Sequence, residues 1–271
     1  MIVKSSTKSY EVGNLVASTA TYRVYLCTEV ESGARGLLQI AAENDNNGGL
    51  DRAAFTLRTL RDTASLLEQQ FAELENVKRL HYERLFPNLF DSFIADDQGG
   101  RRIDILTFAD VDQPEQLVPL SNLRTKDHLR IDLRSSAWIL GRLLKLLGFV
   151  HSEGFSIGSV TGNNILLLPD QHFALVFDWS SCLSHTDVVP AAIRTADIAG
   201  AGQALFAAIG GDLESGKHKP IPGDECDRYV NFLWGLATYC DHDAMRAHSE
   251  LYELIDTQGW RGFHPFTTRP L

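Results

Sequence analysis

Between residues 9 and 42, apolar and polar positions alternate in three short runs: Tyr10-Glu11-Val12, Tyr22-Arg23-Val24-Tyr25-Leu26 and Leu37-Leu38-Gln39-Ile40-Ala41. Ser/Thr clusters and a Ser32-Gly33 turn signal separate them, so the pattern predicts three antiparallel strands. A polar, turn-rich stretch, 43 to 50, comes next. From 50 to about 84 the period changes: there is no Pro or Gly after Gly49, and Leu60, Ala64, Leu67, Phe71, Leu74 and Val77 recur three or four apart, which predicts one or two helices. Strand-like runs return at 85 to 94 and 103 to 108, joined by the turn Asp96-Asp97-Gln98-Gly99-Gly100. A Pro-bearing connector, 112 to 123, leads to an apolar helical pattern at 131 to 151 with Ala137, Leu140, Leu144 and Leu147 on one face. Two short apolar runs, 165 to 168 and 173 to 177, flank a Pro169-Asp170 turn and predict a hairpin ending on Asp178. A helix over 197 to 211, a Gly/Pro/Lys loop over 212 to 226, and one or two helices over 227 to 255 follow. The tail from 260 carries Trp260, Phe263 and Phe266 and is expected to pack back onto the body.

Composition narrows the partners. The 271 residues are 44% hydrophobic and 22% charged, enough for one large core or two packed lobes. A net charge of −10 argues against nucleic acid or an anionic membrane as the main partner, because phosphate binding draws on Lys and Arg clusters. Cys27, Cys182, Cys226 and Cys240 form neither a Cys-x-x-Cys pair nor a dense framework, which suits reduced thiols. The longest apolar uncharged run, 198 to 211, is too short to span a bilayer, and residues 1 to 10 lack a signal-peptide core. A cytoplasmic location is expected.

The candidate chemistry lies at the two ends of the 165 to 177 hairpin. Asn164 opens its first strand and Asp178 closes its second, and an amide oxygen with a carboxylate is an oxygen donor set suited to Mg²⁺. With the loop before it, this stretch resembles the protein kinase superfamily, whose catalytic loop carries an Asp five residues before a metal-binding Asn, followed by a hairpin and Asp-Phe-Gly. The resemblance puts Asn164 and Asp178 on the metal-binding positions, with Trp179-Ser180 in place of Phe-Gly. It implies an α+β, two-lobed kinase-like fold: a small antiparallel-sheet N-lobe with one main helix over 1–110, and a mostly helical C-lobe with a C-terminal tail over 111–271.

The same alignment locates departures. Ile157-Gly158-Ser159 replaces His-Arg-Asp, so Ser159 stands where the catalytic base belongs. Ala17, Thr19 and Tyr22 fall on the three glycines of the phosphate loop, and Gln39 on its phosphate-binding Lys. The helix that should supply a pairing Glu offers Glu68, Glu73 or Glu75. Residues 107 to 110 take the hinge position, where main chain of Leu106, Thr107 and Phe108 would meet an adenine. Asp197 is assigned the structural role of the Asp that opens the central helix and braces the catalytic loop. Only about a dozen residues separate Asp178 from Pro190, a short activation segment.

The resemblance therefore implies a catalytically inactive, pseudokinase-type module acting through a protein partner, with ATP and Mg²⁺ held weakly or not at all and the oligomeric state open. The alternative is an atypical ATP-dependent phosphotransferase or nucleotidyltransferase that uses Asn164 and Asp178 with a relocated base, Lys126 and Lys145 being the nearest unplaced lysines. Three further signals have structural readings. Ala199-Gly200-Ala201-Gly202 lacks a preceding strand and reads as helix packing. Cys240-Asp241-His242-Asp243 has metal-compatible side chains but no second cluster. Ser159 with His151 or His185 lacks a Gly-x-Ser-x-Gly elbow.

Overall fold

The computed structural model describes residues 1–73, 80–239 and 243–271. These divide into two compact units, Met1–Leu117 with Asp178–Cys182, and Val118–Phe177 with Leu183–Leu271.

The first unit is built on β1 (Ile2–Lys4), β2 (Ser9–Ser18), β3 (Tyr22–Glu29), β4 (Arg35–Ala41), α1 (Asn47–Glu73), β5 (Asn88–Ala95) and β6 (Arg101–Thr107). The six strands form one antiparallel sheet in the order β1-β2-β3-β4-β6-β5. The period-2 pattern sorts its faces. Leu38 and Ile40 join Val3, Tyr10, Cys27, Ile103 and Ile105 in an apolar cluster. Between them in sequence, Gln39 and Asp104 turn the other way and are direct register partners, and Asp104 in turn pairs Ser92 of β5. One polar row thus crosses three strands.

α1 covers this face with Leu50, Ala53, Leu57, Leu60 and Ala64, and its Asp51 meets Arg102 of β6 at 2.6 Å. The helix begins at Asn47, inside the stretch expected to be loop. The cause is a clamp: the Asn47 side chain donates to the Gly100 carbonyl (2.9 Å) and accepts from the Arg102 N–H (2.7 Å), fixing the first turn to the β5–β6 connection.

The second unit contains β7 (Val118–Pro119), α2 (Leu120–Thr125), β8 (Leu129–Ile131), α3 (Leu133–Ser152), β9 (Phe155–Ser156), β10 (Ile165–Leu168), β11 (Phe173–Val176), β12 (Leu183–Ser184), α4 (Ala191–Ala208), α5 (Asp227–Ala237), α6 (Ala244–Thr257) and β13 (Thr268–Pro270). α3 is buried along most of its length and is capped by Asp132, which accepts from Ser135 N–H at 2.6 Å. α5 is tied to it through Tyr229, fully buried, whose hydroxyl lies 2.7 Å from Ser136 Oγ.

α4 starts six residues before Asp197, which corrects the expectation that Asp197 opens this helix. Pro190 takes the N-cap and nothing between 191 and 197 breaks a helix, so Asp197 is presented from the second turn. The glycines of 199 to 202 serve close packing: a Cβ on Gly200 would sit 2.4 Å from the Val160 carbonyl oxygen, and one on Gly202 2.6 Å from the Ala237 nitrogen. The tail returns as β13 on β8, and His264 Nε2 lies 2.8 Å from Asp132 Oδ2. Backbone pairing and this contact hold it. Phe263 remains 80% exposed while stacking on His172, and Trp260 meets Tyr229 edge-on. Among the described residues no helix is long and apolar enough to cross a membrane. Leu74, Glu75, Val77, Cys240, Asp241 and His242 lie outside the described residues.

Asp104 yields a pH test. Burial, opposed by Ser92, Arg102 and Arg58, pushes its carboxyl up to about 7. A native acid with a raised pKa binds its proton more tightly than the unfolded chain does, so the associated stability is present below about pH 4 and is lost as pH climbs to about 7. Asp104→Asn should abolish that decline, and at pH 8 should be the more stable protein by on the order of 4 kcal/mol or less, read from urea unfolding across the range.

Candidate functional site

In the first unit the centre is Asp178. The β3–β4 register makes Val24 the partner of Gln39 and Ala41 the partner of Tyr22, so Tyr22, Val24 and Gln39 share one face of the sheet. Gln39 is 2% exposed and donates from Nε2 to Asp178 Oδ1 at 3.3 Å. The Tyr22 phenol faces the same carboxylate: burial first, then Asp178, push its pKa up. Ser180 supplies two donors, its N–H to Oδ1 at 2.9 Å and its hydroxyl to Oδ2 at 3.1 Å. Gln39 and Ser180 therefore bring donors from this chain to the carboxylate expected to bind metal.

The residues after Asp178 are anchored in the same unit. Trp179, in the Phe position of the resemblance, is 1% exposed and packs edge-to-face on Phe86 at 6.1 Å. The Ser180 carbonyl accepts from Arg52 Nη2 (3.3 Å), and Cys182 Sγ lies 3.1 Å from Thr56 Oγ1, both partners on α1.

The β2–β3 turn is closed without glycine. Thr19 N–H donates to the Tyr22 carbonyl, and Thr19 Oγ1 accepts from the N–H groups of Thr21 and Tyr22, while Ala17 pairs with Val24 in the ladder. No glutamate of α1 is placed by Gln39: Glu68 accepts from the N–H groups of Leu80 and His81, and Glu73 is exposed at the last residue of the helix. The partner of Gln39 is instead Asp178, which no helical spacing could have indicated. At the hinge position, Leu106 (1% exposed) sits in the ladder opposite Leu37 and Leu89. The Thr107 hydroxyl accepts from Asn88 Nδ2 at 3.0 Å, and the Phe108 carbonyl accepts from Val111 N–H at 3.3 Å.

In the second unit the centre is Asp197, 3% exposed. Its Oδ2 accepts from Ile157 N–H at 2.9 Å and its Oδ1 from Gly158 N–H at 2.8 Å, and His151 Nε2 lies 3.1 Å from Oδ2. The loop carrying Ser159 is thus hung by its backbone from α4 and the end of α3. Asn164 donates from Nδ2 to the Ser159 carbonyl at 2.7 Å, and its own carbonyl accepts from Phe177 N–H, extending the β10–β11 ladder by one pair.

His185 pairs with Ser156 Oγ (3.1 Å), not with Ser159, because β9–β12 pairing sets Ser156 opposite Leu183. Lys126 caps the exposed end of α2 and Lys145 lies on α3 near His248. Among the described residues, no three His, Cys, Asp or Glu side chains gather as a metal site.

Two substitutions read this geometry. Asp178→Ala orphans the buried Gln39 amide and the Ser180 donors and should lower the unfolding free energy by ~2–4 kcal/mol with no ligand present, whereas a carboxylate kept only for metal would be neutral. Asp197→Ala removes the acceptor shared by two loop N–H groups and His151 and should cost ~3–5 kcal/mol. Urea titrations measure both.

No protein-family profile matches this sequence, and no curated protein matches it. Solved structures do. The crystal structure of the BubR1 kinase domain aligns with a TM-score of 0.65 at 10% identity, covering 95% of this chain and 83% of that one. The structure of vaccinia related kinase 3 aligns with a TM-score of 0.62 at 13% identity, covering 96% of this chain and 91% of that one. At such identities the likeness carries the fold and leaves function to be argued from the site. The chain has the two-lobed, α+β kinase-like fold, with an antiparallel-sheet N-lobe and a mostly helical C-lobe.

Proposed function

We propose that this chain is a non-catalytic kinase-fold module, a pseudokinase, that acts through contacts with a protein partner. The observation that carries the reading is the carboxylate of Asp178, which accepts from Gln39 and Ser180 where kinase chemistry needs a lysine-held triphosphate and Mg²⁺. For a metal to take Asp178, these donors have to be stripped from it, the buried Gln39 amide among them, and a neutral amide at position 39 offers no charge in return.

Ser159 adds a second defect. A hydroxyl cannot take up the proton that the loop Asp of a kinase accepts, and its carbonyl is already engaged by Asn164. Loss of a general base costs typically ~10²–10⁴ in rate, and loss of a charge-stabilising donor ~10²–10³, without strict additivity. Against usual kinase turnover of about 1–100 s⁻¹, the remainder is too slow for a signalling enzyme. ATP and Mg²⁺ bind weakly or not at all in this reading. The buried free thiols of Cys27, Cys182 and Cys226 suit a reducing, cytoplasmic setting.

Thermal unfolding with millimolar ATP, with and without Mg²⁺, tests the proposal beside a γ-phosphate transfer assay. A ligand at about 100 times its Kd adds ~2.7 kcal/mol, several degrees for a protein of this size. The expected result is no Mg²⁺-dependent shift and no turnover. A Mg²⁺-dependent rise in Tm accompanied by phosphate release or nucleotidyl transfer overturns it in favour of an atypical transferase built on Asn164 and Asp178.

A further inference from the structure

The chain is acidic overall, yet one region of the second unit gathers several cations. In the β8–β13 ribbon Arg130 and Arg269 are direct register partners and so leave the same face. Like charges placed directly opposite destabilise a two-stranded ribbon, so the pairing has no structural justification of its own.

Arg130 is held in place. Its side chain lies against Gly210, where an added Cβ would stand 3.0 Å from Arg130 Cδ, and its Nη1 donates to the Lys219 carbonyl at 2.7 Å. This brings the ribbon beside Lys217, His218 and Lys219. Among the described residues the side chains of Arg269, Lys217 and Lys219 make no hydrogen bond or ion pair, and the Nε of Arg130 is buried without a partner. Carboxylates lie nearby. Asp224 feels both arginines and accepts from the Leu133 N–H at 3.1 Å, Asp132 is shared between Ser135 N–H and His264, and Asp212 is the bridge partner of Lys217. Asp227 is felt by His218. Burial first, then Arg130, hold the His218 imidazole below its ordinary pKa.

We propose that Arg130, Arg269 and Lys219 form a docking site for an acidic, Asp- or Glu-rich segment of a protein partner. Guanidinium groups match carboxylates in bidentate geometry, and two of them side by side with a flanking ammonium suit successive carboxylates on an extended chain. A long polyanion is a poorer fit, because it must also lie along the surface of a protein carrying −10. The inference rests on the reading that this chain works through protein contacts, and it names the chemistry of the partner.

The test is fluorescence anisotropy of a labelled oligoglutamate peptide titrated with the full chain. Binding should be saturable and should weaken as salt is raised. Arg269→Gln and Lys219→Gln, both exposed positions, should each weaken it ~10-fold, as expected for loss of one charge-assisted hydrogen bond. Arg246→Gln, on α6, should leave it unchanged, and all variants should unfold cooperatively at the Tm of the parent. Absence of binding, or binding indifferent to Arg269 and Lys219, overturns the proposal. So does equal, Arg269-dependent binding of single-stranded oligonucleotide or phosphatidylserine vesicles, which would mark a generic polyanion patch. No ATP enters this measurement, so its failure leaves the non-catalytic reading standing, and turnover of ATP would overturn that reading without touching the peptide result.

Discussion

A carboxylate taken out of water must be answered by donors or by a cation, and at Asp178 the answer comes from the chain itself. Gln39 reaches it from β4 and Ser180 from two residues downstream. With that charge satisfied, Trp179 can sit in the core on Phe86 and Cys182 against α1, so five residues from the far side of the sequence become part of the first unit. The donors that hold this carboxylate are the ones the proposed non-catalytic reading rests on.

Asp197 plays a comparable part in the second unit. Two backbone N–H groups and a histidine converge on it, and a loop with no regular structure acquires a fixed path. Position 159 in that loop is a serine. The hydrogen bonds that shape the loop use backbone donors, which survive substitution of side chains.

The polar row Gln39–Asp104–Ser92 lies under α1, and unpaired cations are displayed on the tail ribbon instead. Both features run against what stability alone favours. The first buries a carboxylate whose pKa rises to about 7, and the second opposes two arginines across a ribbon.

Much of the architecture was legible in one dimension because local periodicity and turn chemistry are local causes. The alternation at 22 to 26 and 37 to 41, the Pro169-Asp170 hairpin and the apolar stripe of α3 each specify an element whose neighbours in sequence are neighbours in space. The order of those elements, with Asn164 and Asp178 at their spacing, was enough to indicate a kinase-like fold, and the missing lysine and loop aspartate were visible as letters. What the residues at those positions meet in the fold was not. That Gln39 donates to Asp178 across 139 positions, that Tyr22 faces it, that α1 begins at Asn47 and that Asp197 sits in the second turn of its helix are consequences of strand register and long-range hydrogen bonding. The opposition of Arg130 and Arg269 likewise exists only once β13 has paired with β8. Sequence determines which residues carry charge and which segments are regular; tertiary structure alone decides which charges meet, because a carboxylate's partners are set by distance in space and not along the chain.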